Sequence, residues 1–144
     1  MSEAAGRKDK TINEYSDVIY DAEWFNNPKT IQQLATGLNT PVGKEQYIGK
    51  SFELTGFVRA DRTASSDYFL LTRFVMACCA ADARPNSIAV LSDDWQSEFA
   101  VDSWVTVSGE LVKRNVAGQE LIMIEPKTIR KIDLPEEPYD FISN

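Results

Sequence analysis

The sequence predicts a mainly β fold: a five-stranded, OB-like Greek-key barrel, with a short helix between strands three and four and an N-terminal helical extension. Three observations carry this. From Ser51 onward the apolar period is two, and five segments share it. Between the third and fourth, "DDWQSEFAVDS" (93–103) sets Trp95 and Phe99 four residues apart behind Asp93 or Asp94 as a cap, which suits a short helical crossover. Gly56 and Gly109 stand inside the first and fourth segments, where glycine marks a bend or bulge. Small closed barrels turn their corners with such bends, and five strands with a helix at that point are the OB architecture. A small sandwich would leave the bends without a reason.

The elements follow in order. Residues 1–10 are polar and read as a disordered tail, 11–46 as the helical extension, and 47–144 as the barrel domain. In "NPKTIQQLATGLN" the residues Ile31, Leu34, Ala35 and Leu38 recur at i, i+3, i+4, i+7, and Gly37 and Asn39 are stop signals. "PVGKEQYIGK" (41–50) reads as a connector. "SFELTGFVRA" (51–60) is the first strand, with Phe52, Leu54, Gly56 and Val58 on one face. "DYFLLTRFVMAC" (67–78) is apolar almost throughout, as in a strand buried on both faces, and "SIAVLS" (87–92) is the third. "WVTVSGELVKRNV" (104–116) alternates Trp104, Thr106 and Ser108 against Val105, Val107, Gly109 and Leu111. A turn at Ala117–Gly118 leads to the fifth strand, "ELIMIEPKTIRKI" (120–132). "DLPEEPYDFISN" (133–144) is expected to be extended, with Tyr139 and Phe141 anchoring it on a partner or on the barrel itself.

Length and charge narrow the function. A chain of 144 residues suits one domain with a real core. Its net charge of −7 is the reverse of the basic footprint left by phosphate binding, so nucleic acid and anionic membrane surfaces are disfavoured partners. The absence of histidine excludes Ser–His–Asp and Cys–His catalysis. No acid–base pair with sensible spacing stands out, so no enzyme is expected. "TGLNTPVGK" and "TGFVRAD" lack phosphate-loop spacing. No run approaches the ~20 apolar residues of a membrane span, and "MSEAAGRKDK" has no apolar signal core, so the chain as given reads as soluble.

The chemistry-bearing stretch is "RFVMACCAADARP" (73–85), which holds both cysteines. On a strand, Cys78 and Cys79 point to opposite faces. A disulfide between them is disfavoured, because a trans peptide sets their Cα atoms ~3.8 Å apart, below the ~4.4 Å a bridge usually needs. If the chain turns at Cys78, Asp82 comes round at i, i+4, and two thiolates with a carboxylate could hold zinc or another thiophilic ion. No CxxC spacing or histidine completes a four-ligand site, and cysteines also fill cores as small buried residues. Asp82 and Arg84 with Arg73 suit an ion bridge or a small ligand site. Phe57, Tyr68, Phe69 and Phe74 fall where OB folds stack bases, but Lys50, Arg59, Arg62 and Arg73 are matched by Glu53, Asp61 and Asp67, so core packing explains them better.

"YIGKSFELTGFV", "RFVMACCAADARP", "DSWVTVSGEL" and "LPEEPYDF", in that order over about residues 45–142, resemble the soluble C-terminal domain of the YcgQ-like permease-subunit family. That is a bacterial domain of unknown function with a CCxAD motif. The resemblance marks Gly49, Gly56, Phe57, Arg73, Cys78, Cys79, Asp82, Trp104, Gly109, Pro138 and Tyr139. Of these, only Arg73, Cys78, Cys79 and Asp82 could carry chemistry. It implies a pair of transmembrane helices ahead of the domain and an integral-membrane permease as partner. This sequence departs by showing no membrane segment, so membrane association is expected through a missing N-terminal segment or through the partner. The expected function is a non-catalytic accessory or binding domain of a permease, acting by protein contact or small-ligand binding. The alternatives are thiol-based metal or metalloid sensing through Cys78 and Cys79 and, third, a single-stranded nucleic-acid module.

Overall fold

In the computed structural model, which describes residues 22–77 and 82–141, three short helices precede the sheet. They are α1 (Glu23–Asn26), α2 (Ile31–Leu38) and α3 (Pro41–Tyr47). Thr30 starts α2 by accepting a hydrogen bond from the Gln33 N–H, and Ile31 and Leu34, on one face, are fully buried. The segment expected as a connector is instead α3. Pro41 opens it, where a missing N–H does no harm, and Thr40 caps it by accepting from the Gly43 N–H. No helix among the described residues is long and apolar enough to cross a membrane.

The strands are β1 (Ser51–Arg59), β2 (Tyr68–Met76), β3 (Arg84–Leu91), β4 (Trp104–Val116), β5 (Gln119–Ile132) and β6 (Tyr139–Phe141). They form one sheet in the order β1-β4-β5-β3-β2-β6, with a further pairing between β1 and β2. The β3–β5 and β2–β6 pairs are parallel and the others antiparallel. A 3-10 helix at Trp95–Ser97 lies between β3 and β4, where the short crossover is expected. Trp95 is 1% exposed, and its indole N–H donates to the Ser65 carbonyl at 2.8 Å.

Three boundaries differ from expectation. A sixth strand exists, because the tail pairs Tyr139, Asp140 and Phe141 with Phe74, Val75 and Met76. β2 ends at Met76 rather than Cys78, and β3 begins at Arg84, already paired with Val75. Cys78 and Cys79 lie outside the described residues.

Both interior glycines are required by close approach. A Cβ on Gly56 would stand 2.6 Å from the Thr72 carbonyl oxygen and 2.9 Å from Ile31 Cδ1. At Gly109 the β4–β5 register shifts: Ser108 faces Thr128 while Gly109 faces Pro126, and a Cβ would meet the Glu125 carbonyl oxygen at 2.3 Å. This is the bulge that a mid-strand glycine signals, and it accommodates a proline inside β5. The helices and the sheet share one core: Phe25, Ile31 and Tyr47 pack in the same cluster as Leu54, Phe69 and Trp95.

Candidate binding clefts around Arg73

Arg73 lies on β2 where the strand exchanges one neighbour for another. Along the side away from β3, residues 70–72 of β2 pair with β1 and residues 74–76 pair with β6. Asp140 is the partner of Val75, two residues on from Arg73, so strand alternation puts Arg73 and Asp140 on one face as diagonal neighbours. Arg73 Nε is 2.9 Å from Asp140 Oδ1, and the two side chains are only 15% and 13% exposed. One terminal guanidinium nitrogen donates to the Glu137 carbonyl at 2.6 Å and the other to the Thr55 carbonyl at 3.4 Å. The guanidinium carbon stands 5.6 Å from the centroid of the Trp104 ring, within cation–π range.

Arg73 therefore ties the tail to β1 and β2. The bolt is imperfect: the Nε contact is an ion pair rather than an aligned hydrogen bond, and both Nε and Asp140 Oδ2 are buried without a hydrogen-bond partner among the described residues. Burial pushes the Asp140 carboxyl above its ordinary pKa, and the opposing pull of the Arg73 charge does not cancel it.

Two clefts flank this bolt. The first, about 520 Å³, is bounded by residues 27–30 between α1 and α2, the start of β1, Arg73 and Asp140. Among the described residues its β1 wall is an open sheet edge. Lys50 O accepts from Leu111 N, Val58 N donates to Ser103 O, and Asp102 N donates to Val58 O, so even-numbered residues of β1 turn their backbone groups toward β4. Alternation then turns Ser51, Glu53 and Thr55 the other way, where β2 pairs only from Phe57 onward. The Thr55 carbonyl takes the Arg73 guanidinium. No other described residue pairs with the outward backbone groups of Ser51 and Glu53.

The second cleft, about 370 Å³, is walled by Phe57, Phe74, Trp104 and Tyr139, with Asp102, Leu134 and Pro138 at its margin. Phe57 lies 5.7 Å from Phe74 and 5.4 Å from Trp104 between ring centroids, and Tyr139 lies 6.3 Å from Phe74. Core packing is the right account of Phe69, which meets Trp95 and Phe99. Tyr68 packs in a smaller cluster with Val112 and Met123, and its hydroxyl donates to Asp61. Phe57 is buried as expected and also forms part of the wall of this cleft, together with the half-buried Phe74.

Of the residues singled out from sequence, Arg73 is at the centre. Asp82 Oδ1 accepts from the Ala77 N–H at 3.0 Å, which brings together the two residues that bracket 78–81. Arg84 is the exposed first residue of β3. Among the described residues the ion-pair partner of Arg73 is Asp140, and no three potential ligands gather for a metal ion. Sequence reasoning missed Asp140, the open edge of β1 and the place of Trp104 in this cleft, whereas Tyr139 and Phe141, expected to anchor the tail on the barrel or on a partner, pair with Phe74 and Met76 of β2. Tyr139-Asp140-Phe141 is too short a stretch for its alternation to have signalled a strand.

Residues 36–142 match the family model described as the DUF1980 C-terminal domain. The chain belongs to that family. No curated protein matches this DUF1980 C-terminal domain. Among solved structures it is similar to yeast RPA bound to ssDNA, at 12% identity over 67% of this chain and 75% of that one, with a TM-score of 0.38. It is also similar to an aspartyl-tRNA synthetase of Leishmania major Friedlin, at 12% identity over 71% and 20%, TM-score 0.38. A DUF3299 family protein of Pseudomonas aeruginosa PAO1 matches at 15% identity over 74% and 84%, TM-score 0.37. Likeness at this level decides nothing about function.

Proposed function

We propose that this DUF1980 C-terminal domain is a non-catalytic binding module on an OB-like Greek-key barrel, serving a membrane permease by taking up an extended segment of that partner. The barrel reading rests on the pairings β1–β4–β5–β3–β2–β1, which return to the strand they start from. The single observation carrying the binding reading is the β1 edge at Ser51 and Glu53, unpaired among the described residues and opening into a cleft of about 520 Å³. An exposed edge offers backbone donors and acceptors at strand spacing, and an added peptide strand satisfies them. Lys29, Glu53 and Arg73 in the lining supply charges of both signs to select its side chains.

The test is capture of the permease encoded beside the gene. The Glu53→Pro variant removes an N–H directed into the cleft and spares the bonds that even-numbered residues make to β4. The wild-type domain retains the permease, and the variant loses it with an unchanged melting temperature. Retention by the variant defeats the edge reading. A gene with no permease neighbour defeats the permease assignment.

One observation favours a second reading, a thiol site for zinc or another thiophilic ion at Cys78 and Cys79. The Asp82–Ala77 hydrogen bond holds a carboxylate at the base of the segment carrying both cysteines. Elemental analysis of protein purified under reducing conditions, with Cys78→Ser as control, tests it. Absence of stoichiometric zinc, copper or arsenic after loading sinks it.

A further inference from the structure

We propose that the aromatic cleft is a site for a small organic ammonium ion, one whose charge is clothed in methyl or methylene groups. This inference is independent of the β1 edge and of the cysteines.

Four observations converge. The rings of Phe57, Phe74, Trp104 and Tyr139 form a contiguous wall, each within 6.3 Å of a neighbour between centroids. The faces of aromatic rings carry negative charge density and attract cations, Trp most strongly. Trp104 already holds the Arg73 guanidinium at 5.6 Å, so a cation is stable against this ring.

Second, the margin carries a carboxylate of the right sign. Asp102 lines the cleft, and its side chain has no hydrogen bond or ion pair among the described residues. Its backbone sits at φ 73°, in the left-handed region, held there by its N–H donating to the Val58 carbonyl at 2.8 Å. The surrounding structure thus fixes the backbone from which this exposed carboxylate projects.

Third, Asp102 is the one charged residue among those lining the cleft, the Arg73 guanidinium on Trp104 is paired with Asp140, and the chain carries a net charge of −7. The field of the whole molecule draws cations in and repels phosphates and carboxylates. Fourth, the rim is apolar. The large exposed hydrophobics among the described residues are Val42, Val101, Leu134 and Tyr139. Leu134 and Tyr139 line this cleft, and Val101 adjoins Asp102 in the chain. Such a rim suits alkyl substituents on nitrogen, which a bare metal ion or ammonium does not have. A volume of about 370 Å³ lies within the range of small-ligand pockets.

Choline is the probe, and 3,3-dimethyl-1-butanol, its uncharged isostere, is the control. Titration is followed by the indole N–H of Trp104 in amide-correlation NMR spectra. Choline shifts that resonance and binds about tenfold or more tightly than the alcohol, the size of a partly desolvated cation–π contact. Asp102→Asn, whose side chain tolerates the left-handed backbone, weakens choline by about tenfold and leaves the alcohol unchanged. Trp104→Leu, with the fold checked by the remaining amide spectrum, removes the preference for the cation. Equal affinity for choline and the alcohol overturns the proposal, as does an Asp102→Asn variant that binds choline undiminished. Response only to a lysine-containing peptide or to a single-stranded oligonucleotide overturns it too, assigning the cleft to a macromolecule.

Discussion

Asp140 Oδ1 lies 2.9 Å from Arg73 Nε, joining the tail strand β6 to the middle of β2. The same arginine reaches the Glu137 carbonyl, 64 residues away in sequence. The tail is thereby a built part of the sheet, and it forms a wall of both clefts through Asp140 on one side and Tyr139 on the other.

Breaking this pair from one side will be expensive. Asp140→Ala leaves the Arg73 charge buried without its counter-ion, and urea unfolding is expected to show a loss of about 3 kcal/mol. The double variant Arg73→Met/Asp140→Leu, which removes both charges, is expected to recover most of that loss. A single variant as stable as wild type would mean that the tail is not held by this contact.

The pair also predicts a pH dependence. Burial raises the folded-state pKa of Asp140, so the native protein binds this proton more readily than the unfolded chain does. The Asp140 contribution is therefore fully present below the ordinary carboxylate pKa and is lost as pH rises through the elevated native value. Stability measured across mildly acidic pH will carry this downward slope in wild type and lack it in Asp140→Asn. Equal slopes in the two proteins refute the assignment.

At alkaline pH the relevant group is Tyr47, fully buried, with its hydroxyl donating to the Phe25 carbonyl. Burial pushes its pKa from 10.0 up to about 12. The phenolate is the excluded form, so the Tyr47 contribution is complete below the ordinary value and is lost as pH rises toward 12. Wild type is expected to lose more stability than Tyr47→Phe across that interval, read as the difference in their urea midpoints.

Gly109→Ala tests the bulge. Its new methyl group would press on the Glu125 carbonyl, 2.3 Å away and unable to yield without disturbing the β4–β5 ladder. A loss of about 1–3 kcal/mol is expected, whereas Ser108→Ala, at the neighbouring half-exposed position, should stay within about 0.5 kcal/mol of wild type. Thermal or urea unfolding of the two variants decides it.

Much of this was legible because strands announce themselves by period. β4 occupies the residues that the alternation of "WVTVSGELVKRNV" predicts, and β5 differs by one residue at its start. Gly109 marked its bulge because only glycine lets a strand approach its partner's carbonyl so closely. The motifs in order over residues 45–142 pointed to a family, and the match over residues 36–142 places the chain in the DUF1980 C-terminal domain family. α3 was hidden because Pro41 and Gly43 look like breakers, although proline opens a helix well and Gly43 supplies the N–H that Thr40 accepts. β6 was hidden for another reason: three residues are too short to show a period.

The sequence alone therefore determined the class of fold, the order of its main strands and the demand for glycine inside two of them. These follow from local alternation and from the size of single side chains. Only the tertiary structure decided that Asp140 is the partner of Arg73, that among the described residues β1 keeps an open edge at Ser51 and Glu53, and that Phe57 and Phe74 join Trp104 and Tyr139 in a cleft. Each of these depends on which strand lies beside β2 at a given residue. That choice is made by packing between segments tens of residues apart, and no local pattern encodes it.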